Sequence, residues 1–162
     1  MSYLLPIHLM TYGYTFGSTT FHSFVASFKA IETLPRREFG EFQGKVLPIQ
    51  FVTQSVAPIV IGLTAPYTIS TLGLGLLGVS ALGGIANIAY LTPKCAHFKT
   101  KRWEIVDTKY NGDNEAAVKS GEVAALDKQF GKFHGMSMGA NLLSIVALTA
   151  YGFILSGHLK VI

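Results

Sequence analysis

Four long stretches without acidic or basic side chains divide the chain. They lie at about residues 3–28, 46–64, 67–91 and 134–155. A helix needs about 20 mostly apolar residues to cross the hydrocarbon core of a bilayer. The stretches are too long for membrane strands and do not alternate with period two. The pattern therefore predicts an all-α, polytopic membrane protein: one domain over residues 1–162, with four transmembrane helices in a bundle.

Two charged segments connect these stretches on one side of the predicted bundle. Residues 29–45 are expected to form a solvated loop at the lipid headgroups. Residues 93–133 are expected to be an antiparallel helical hairpin outside the membrane that extends spans three and four. Asp113 or Asn114 is the expected N-cap of its returning helix. An apolar stripe at helical spacing is compatible with packing inside the chain or with docking of a partner; it comprises Val123, Leu126, Phe130 and Phe133.

Two prolines fall in the second predicted span. Pro48 would lie in the first turn, where a missing N–H costs little. Pro58 lies deeper and is expected to kink the helix and free a backbone carbonyl.

The composition supports a membrane environment. Hydrophobic residues make up 49% of the chain and charged residues only 14%, against roughly 25% charged in soluble domains. The net charge of +4 is compatible with nucleic-acid binding, but basic residues beside apolar runs follow the membrane charge rule. We therefore expect no nucleic-acid partner. A single cysteine, Cys95, excludes an internal disulfide.

The charges are strongly one-sided if the chain crosses four times. All nine acidic residues and every one of the 13 basic residues except Lys160 fall in the segments between spans one and two or between spans three and four. We call this the basic side. Basic loops stay on the side from which insertion occurs, so the basic side is predicted to be cytosolic or matrix-facing, with both termini opposite. A mitochondrial or endoplasmic reticulum membrane fits this pattern.

Small residues at four-residue spacing occur in three of the predicted spans. In lipid, such spacing allows helix backbones to approach closely. The residues are Gly13, Gly17, Ser80, Gly84, Gly131, Gly135 and Gly139. They predict helix packing, either inside this bundle or at a seam with another subunit.

The predicted spans contain few residues that could catalyse a reaction or carry protons. They contain no Asp, Glu, Lys or Arg, which disfavours a proton-coupled pump. The amides of Gln50, Gln54, Asn87 and Asn141 are expected to form hydrogen bonds between helices. No nucleophile motif such as GxSxG is present, and we identify no catalytic residue and no metal site.

The histidines leave one cofactor alternative open. His8 and His22 are fourteen residues apart and share a helix face, as histidines of membrane haem proteins do. A single haem between His22 and His134 is one interpretation; histidines hydrogen-bonded within the bundle are the other. Otherwise no cofactor is predicted, although a bound phospholipid fits.

Several motifs resemble the transmembrane protein 205-like family. "LPRREFGEFQGKVLPIQF" (residues 34–51), "LTPKCAHFK" (residues 91–99) and "FGKFHGMSMGANL" (residues 130–142) carry the resemblance, in order along nearly the whole chain. It implies a four-span membrane protein without an established reaction. The polar residues that fit the family pattern are His8, Arg36, Gln43, Lys45, His134 and Asn141. Several are expected to cluster near the basic side, with Arg36, Gln43 and Lys45 tying the loop to His134 or to lipid phosphate.

Together these patterns predict a non-enzymatic accessory or assembly subunit of a membrane complex. Its partners would be the lipid bilayer and other membrane subunits. The alternative is a transporter or carrier of a small amphipathic molecule or lipid, which a polar-lined cavity reaching Asn87 or Asn141 would favour.

Overall fold

The computed structural model describes residues 3–159, and every regular element in that range is helical. This confirms the all-α prediction. The predicted positions of the chain termini and of Lys160 lie outside the described residues.

The first helical segment runs almost without interruption to the first charged segment. Helix α1 (Leu4–Phe21) passes through one π-helical turn (His22–Ala26) into α2 (Ser27–Thr33). It ends at Leu34, which has extended backbone angles (φ −99°, ψ 140°). The ring of the following proline disfavours helical angles at the preceding residue, so the sequence itself encodes this break.

The second helix is longer than predicted. Helix α3 (Arg36–Thr64) begins immediately after Pro35, so residues 29–45 are helical on both sides of a two-residue link rather than a loop. The charges here are carried by Arg, Glu and Lys, which are good helix formers, so polarity did not indicate a loop. Pro48 consequently lies inside the helix and not in its first turn, and Pro58 lies inside as well.

The third helix continues far beyond the apolar stretch. Helix α4 (Thr71–Ala86) joins α5 (Thr92–Tyr110) through a second π-helical turn (Asn87–Leu91). It starts at Ser70, whose hydroxyl accepts a hydrogen bond from the Gly73 N–H at 3.1 Å, a usual N-cap arrangement. It ends at Asn111, which adopts a left-handed conformation.

Two further helices return the chain. Helix α6 (Asn114–Ser120) is capped by Asp113, whose carboxylate accepts from the Ala116 N–H at 3.0 Å, which confirms one of the two predicted caps. Gly121 has a φ of +79°, which a glycine adopts without strain. Helix α7 (Ala124–Leu159) then runs 36 residues to the end of the described chain.

Three of these helical segments are long and apolar enough to cross a membrane: Arg36–Thr64, Thr71–Tyr110 and Ala124–Leu159. The protein therefore has the character of an integral membrane protein. Helix α1 contains no Asp, Glu, Lys or Arg, but many of its residues are His, Thr, Ser or Tyr, so it does not stand out by hydropathy.

The helices pack in sequence around a small core. Helix α3 lies against α1 and α4, and α7 lies against α4 and α5. Ile61, Leu77, Tyr151 and Leu155 form the buried apolar cluster of the bundle. A second cluster of Val106, Ala117 and Val123 holds α5, α6 and the start of α7 together.

The two charged segments meet at one end of the molecule. The Arg37 guanidinium donates to both carboxylate oxygens of Asp107, at 2.8 and 3.0 Å. The Lys99 ammonium donates to the Gly40 carbonyl at 2.8 Å. Segments 29–45 and 93–133 thus lie on the same side, as the charge partition predicts.

Candidate functional site: polar interior and outward glycines

A directed chain of hydrogen bonds lies in the bundle far from the basic side. Buried His8 places Nδ1 2.9 Å from the carbonyl oxygen of Ile61, in the last turn of α3, where carbonyls lack helical donors. A carbonyl can only accept, so Nδ1 carries the proton and Nε2 is the acceptor. The Tyr151 hydroxyl, 3.1 Å from Nε2, therefore donates to His8.

The chain extends one residue further towards the surface. The Tyr67 hydroxyl lies 3.0 Å from the Tyr151 hydroxyl. Because Tyr151 already donates to His8, Tyr67 donates to Tyr151. The ring of Tyr67 stacks on His158 with centroids 4.0 Å apart. This arrangement orders the side chains that close the bundle at this end.

Side-chain amides connect the helices in the middle of the bundle. The Gln54 amide donates to Asn141 at 3.3 Å, and the Asn141 amide donates to the Ser23 hydroxyl at 2.8 Å. These bonds join α3, α7 and the first π-helical turn. The Ser137 hydroxyl donates to buried Asn87 and joins α7 to the second π-helical turn.

A further bond at the same level confirms the predicted role of the amides. The Gln50 amide donates to the Thr19 hydroxyl, joining α3 to α1. All four predicted amides thus bond to another helix. Two buried acceptors in this region, Gln54 Oε1 and Ser80 Oγ, have no hydrogen-bond partner within the described chain.

A third polar group lies nearer the basic side. His22 places Nε2 3.1 Å from Gln43 Oε1 and 3.3 Å from the Ser27 hydroxyl. The Gln43 amide donates to the same hydroxyl at 2.9 Å. His22 is thereby engaged in a triangle that fixes α3 against the first π-helical turn and α2.

The haem alternative finds little support in this geometry. Nε2 of His22 is held by Gln43 and Ser27, and the ring of His134 stacks on Phe130 with centroids 5.4 Å apart. Among residues 3–159 no three His, Cys, Asp or Glu side chains assemble as a metal-binding group.

The polar residues of the family pattern do not form a single cluster. Their surroundings differ: His8 contacts Ile61 and Tyr151, Arg36 approaches Asp127 to 3.9 Å, Gln43 bonds His22, Asn141 bonds Ser23 and Gln54, His134 stacks on Phe130, and Lys45 is exposed. Fourteen residues of helix separate the levels of His8 and His22 by about 21 Å. His8 thus lies far from the basic side, and the expectation that several of the other residues cluster there stays a prediction.

Sequence reasoning missed the partner of Gln43. His22 lies outside the family pattern, yet it contacts Gln43, for which His134 or a lipid phosphate was the expected partner. The sequence did contain a signal for the burial of His22. His8 and His22 share a helix face, so burial of one histidine implies burial of the other. The π-helical turns that begin at His22 and Asn87 leave no periodic signature in a pattern of apolar positions.

Only part of the small-residue pattern packs within the chain. Ser80 is fully buried. A Cβ at Gly84 would lie 2.7 Å from the Ser55 backbone nitrogen, so the α3 and α4 backbones touch there. Close approach also occurs at Gly83 against Ser144 and at Gly152 against Tyr12, neither of which was predicted.

The remaining predicted glycines face away from the bundle. A Cβ added to any of them would meet nothing within 4 Å: Gly13, Gly17, Gly131, Gly135 and Gly139. We call these the outward glycines. Packing inside one bundle is therefore ruled out for them, and the interpretation as a seam with another subunit stays a prediction. Four-residue spacing shows that glycines share a face but not where that face points.

Comparison with known proteins places the chain in a family. Residues 10–104 match the family described as a domain of unknown function, DUF4149. The chain belongs to this family. The match spans α1 to most of α5 and includes all of α3 and α4.

A curated relative extends over nearly the full length. The Xanthocillin biosynthesis cluster protein D of Aspergillus fumigatus is 29% identical over 166 residues, covering 98% of this chain and 93% of that protein. No solved structure matches the chain. The resemblance to the transmembrane protein 205-like family stays a prediction.

Proposed function

We propose that this protein crosses its membrane four times and acts, without chemistry of its own, as an accessory or assembly subunit of a membrane complex. The outward glycines carry this proposal. Small residues at four-residue spacing promote close helix contact in lipid, and here a Cβ added to them would meet nothing within 4 Å in residues 3–159. Two helices, α1 and α7, thus offer faces to helices of another subunit.

The orientation of its polar residues supports α1 as the fourth crossing. His8, Thr15 and Thr19 are buried in the bundle, whereas Met10, Phe21 and Phe24 are exposed. The surface available to lipid is therefore more apolar than the average of the segment. Burying polar side chains against other helices is how a polar sequence is accommodated in a membrane.

The basic side supplies a second surface for partners. In the proposed arrangement α5, α6 and the start of α7 form the helical hairpin outside the membrane. Arg102 crosslinks it by donating to Asp127 and Asn114, both at 2.7 Å. The basic side faces the cytosol or matrix, the termini lie opposite, and the membrane is mitochondrial or of the endoplasmic reticulum, in accord with the charge rule.

Site-specific labelling tests the number of crossings. After Cys95→Ser, single cysteines at Tyr3, Thr68 and Glu115 are reacted with an impermeant maleimide in sealed vesicles. Four crossings place Tyr3 on the side of Thr68 and opposite Glu115. Labelling of Tyr3 together with Glu115 would leave three crossings and refute the proposed topology.

The subunit role is tested on the glycine face of α7. Gly135→Leu inserts a large side chain into the proposed seam, and Gly75→Leu, another glycine whose Cβ would meet nothing, is the matched control. We expect the wild-type and Gly75→Leu proteins to migrate in mild detergent as a larger assembly that Gly135→Leu loses. If wild-type protein extracted from native membranes migrates as a single chain, the subunit role is contradicted.

A carrier of a small amphipathic molecule is the second candidate. Gln54 Oε1 and Ser80 Oγ are buried acceptors without partners, which a guest with hydrogen-bond donors would satisfy. The relative's name places that protein in a biosynthesis cluster. Solvent extracts of purified wild-type protein should then contain a small molecule that Gln54→Leu protein lacks, and identical extracts would exclude this function.

A further inference from the structure

The lysines of the basic side differ in what neutralises them. Lys29 and Lys109 lie 2.7 and 2.6 Å from the carboxylates of Glu32 and Glu122. Lys94 and Lys132 have no ion pair within the part of the chain that the structure describes; each lies over an aromatic ring instead. Their charge therefore remains available to an anion.

The two rings belong to one aromatic cluster. The Lys94 ammonium lies 5.8 Å from the centre of Tyr90, and the Lys132 ammonium 5.9 Å from the centre of Phe133. The rings of Tyr90 and Phe133 meet edge to face at 6.0 Å, and Phe98 stacks on Phe133 at 5.7 Å. A ring face attracts a cation at such distances, so the cluster holds both ammonium groups near the same seam between α4–α5 and α7.

The aromatic cluster lies at the boundary between charged and uncharged sequence in both helical segments. Tyr90 is 53% exposed and lies in the second π-helical turn, at the end of the uncharged stretch, with Lys94 one turn later. Lys132 and Phe133 directly precede the uncharged stretch of α7. Exposed aromatic residues beside lysines at such boundaries are typical of the headgroup level of a membrane.

The seam continues as an apolar surface on the membrane side of the cluster. Ala86 lies one turn before Tyr90 on α4 and is exposed. On α7, Met136 and Leu143 follow Lys132 on the same helical face and are half exposed. Cationic groups at one end and apolar side chains below them match the two parts of a phospholipid.

We propose that this seam binds an anionic phospholipid, with its phosphate-bearing headgroup at Lys94, Lys132 and Tyr90 and an acyl chain along Ala86, Met136 and Leu143. The two unpaired cations favour a headgroup with net negative charge over a zwitterionic one, because they repel the cationic group of the latter. The Tyr90 hydroxyl can donate to a phosphate oxygen.

Native mass spectrometry of the purified chain tests the site. The protein is held in detergent with equal amounts of dioleoylphosphatidylglycerol and dioleoylphosphatidylcholine, and the bound lipids are counted. We expect wild-type protein to retain phosphatidylglycerol preferentially. A basic residue near a lipid surface contributes enough that removing one lowers anionic binding about fivefold, so Lys94→Gln and Lys132→Gln should each lower the preference by that factor.

The matched control removes the same charge elsewhere. Lys119→Gln/Lys128→Gln takes away two exposed lysines with no ring beneath them, and its preference should stay within twofold of wild type. Equal losses in the control and in Lys94→Gln/Lys132→Gln would reduce the effect to general electrostatics and overturn the site. So would displacement of the lipid by millimolar inorganic phosphate, or the absence of any preference in wild-type protein.

Thermal melting of each variant checks that folding is retained. If the Lys94→Gln/Lys132→Gln double variant unfolds, the comparison uses the two single variants instead. The measurement uses the isolated chain and needs no other subunit. Its failure is therefore distinguishable from failure of the proposed subunit role.

Discussion

The two halves of the molecule are held together by different forces. In the bundle, helices touch where a glycine replaces a side chain, as at Gly84 against Ser55, and where amides bond across, as at Gln54 and Asn141. On the basic side, Val106, Ala117 and Val123 form a dry apolar cluster beside the ion pair of Arg102 with Asp127.

In the proposed membrane arrangement, the difference follows from the surrounding solvent. Lipid tails are as apolar as leucine, so burying an apolar side chain in a bilayer gains little, and close packing and hydrogen bonds decide which helices associate. In water, removal of apolar surface is the dominant favourable contribution. The bundle thus adds small and polar residues to its apolar cluster, whereas an apolar cluster and ion pairs hold the basic side together.

Gly84→Ala should cause the largest loss in the bundle. The added Cβ would lie 2.7 Å from the Ser55 nitrogen and 2.9 Å from the Gln54 carbonyl carbon, so the backbones must separate. Overpacking of this kind costs about 1–3 kcal/mol, measured as a lower melting temperature in detergent. Gly78→Ala, whose Cβ meets nothing, is the control, and equal stability of the two variants would show that α3 and α4 do not touch.

Asp127→Asn should be the most damaging single change on the basic side. It leaves the buried Arg102 guanidinium without its carboxylate, and leaving one member of a buried pair costs several kcal/mol. Because the Asp127 side chain is 32% exposed, we expect a loss nearer about 2 kcal/mol. Asp113→Asn keeps the helix cap and serves as control. If Asp127→Asn loses no more stability than this control, the ion pair of Arg102 with Asp127 does not stabilise the protein.

Asn141→Leu should have a smaller effect. It removes the bonds to Ser23 and Gln54, and interhelical hydrogen bonds in membranes contribute about 0.6 kcal/mol on average. Leu142→Ala, which shortens an exposed side chain, is the control. Two bonds of the largest measured strength would together contribute about 3.4 kcal/mol, so a greater loss would imply that Asn141 organises the bundle.

Acidification should have the smallest effect, and on the basic side only. The Arg37 guanidinium lowers the pKa of Asp107, and Lys109 and Tyr110 lower that of Glu122, through hydrogen bonds to the carboxylates. Groups with a lowered folded-state pKa stabilise the protein above their usual pKa, and the contribution is lost as the pH falls through the folded-state value.

The melting temperature of wild-type protein should therefore approach that of Asp107→Asn as the pH falls below about 4. At pH 7 the wild-type protein should be the more stable of the two. A difference that stays constant with pH would mean that the Arg37–Asp107 contact contributes nothing through charge.

The sequence alone determined that the uncharged stretches are helical and that the two charged segments lie at the same end of the molecule. Uncharged stretches of membrane length can only be helices once backbone groups must be satisfied internally, and charged segments cannot enter lipid. The meeting of Arg37 with Asp107 at one end agrees with the second rule, and the cap at Asp113 follows from the preference of helix N-termini for Asp.

Only the tertiary structure decided which faces look inward. The outward glycines and the packed Gly84 have the same four-residue spacing. This spacing shows which residues share a helix face, but only the positions of the neighbouring helices decide whether that face is buried. The same holds for His22, which begins a π-helical turn and bonds Gln43 of α3. Helix formation is a local property of the chain, whereas the choice of buried face depends on contacts between residues far apart in sequence.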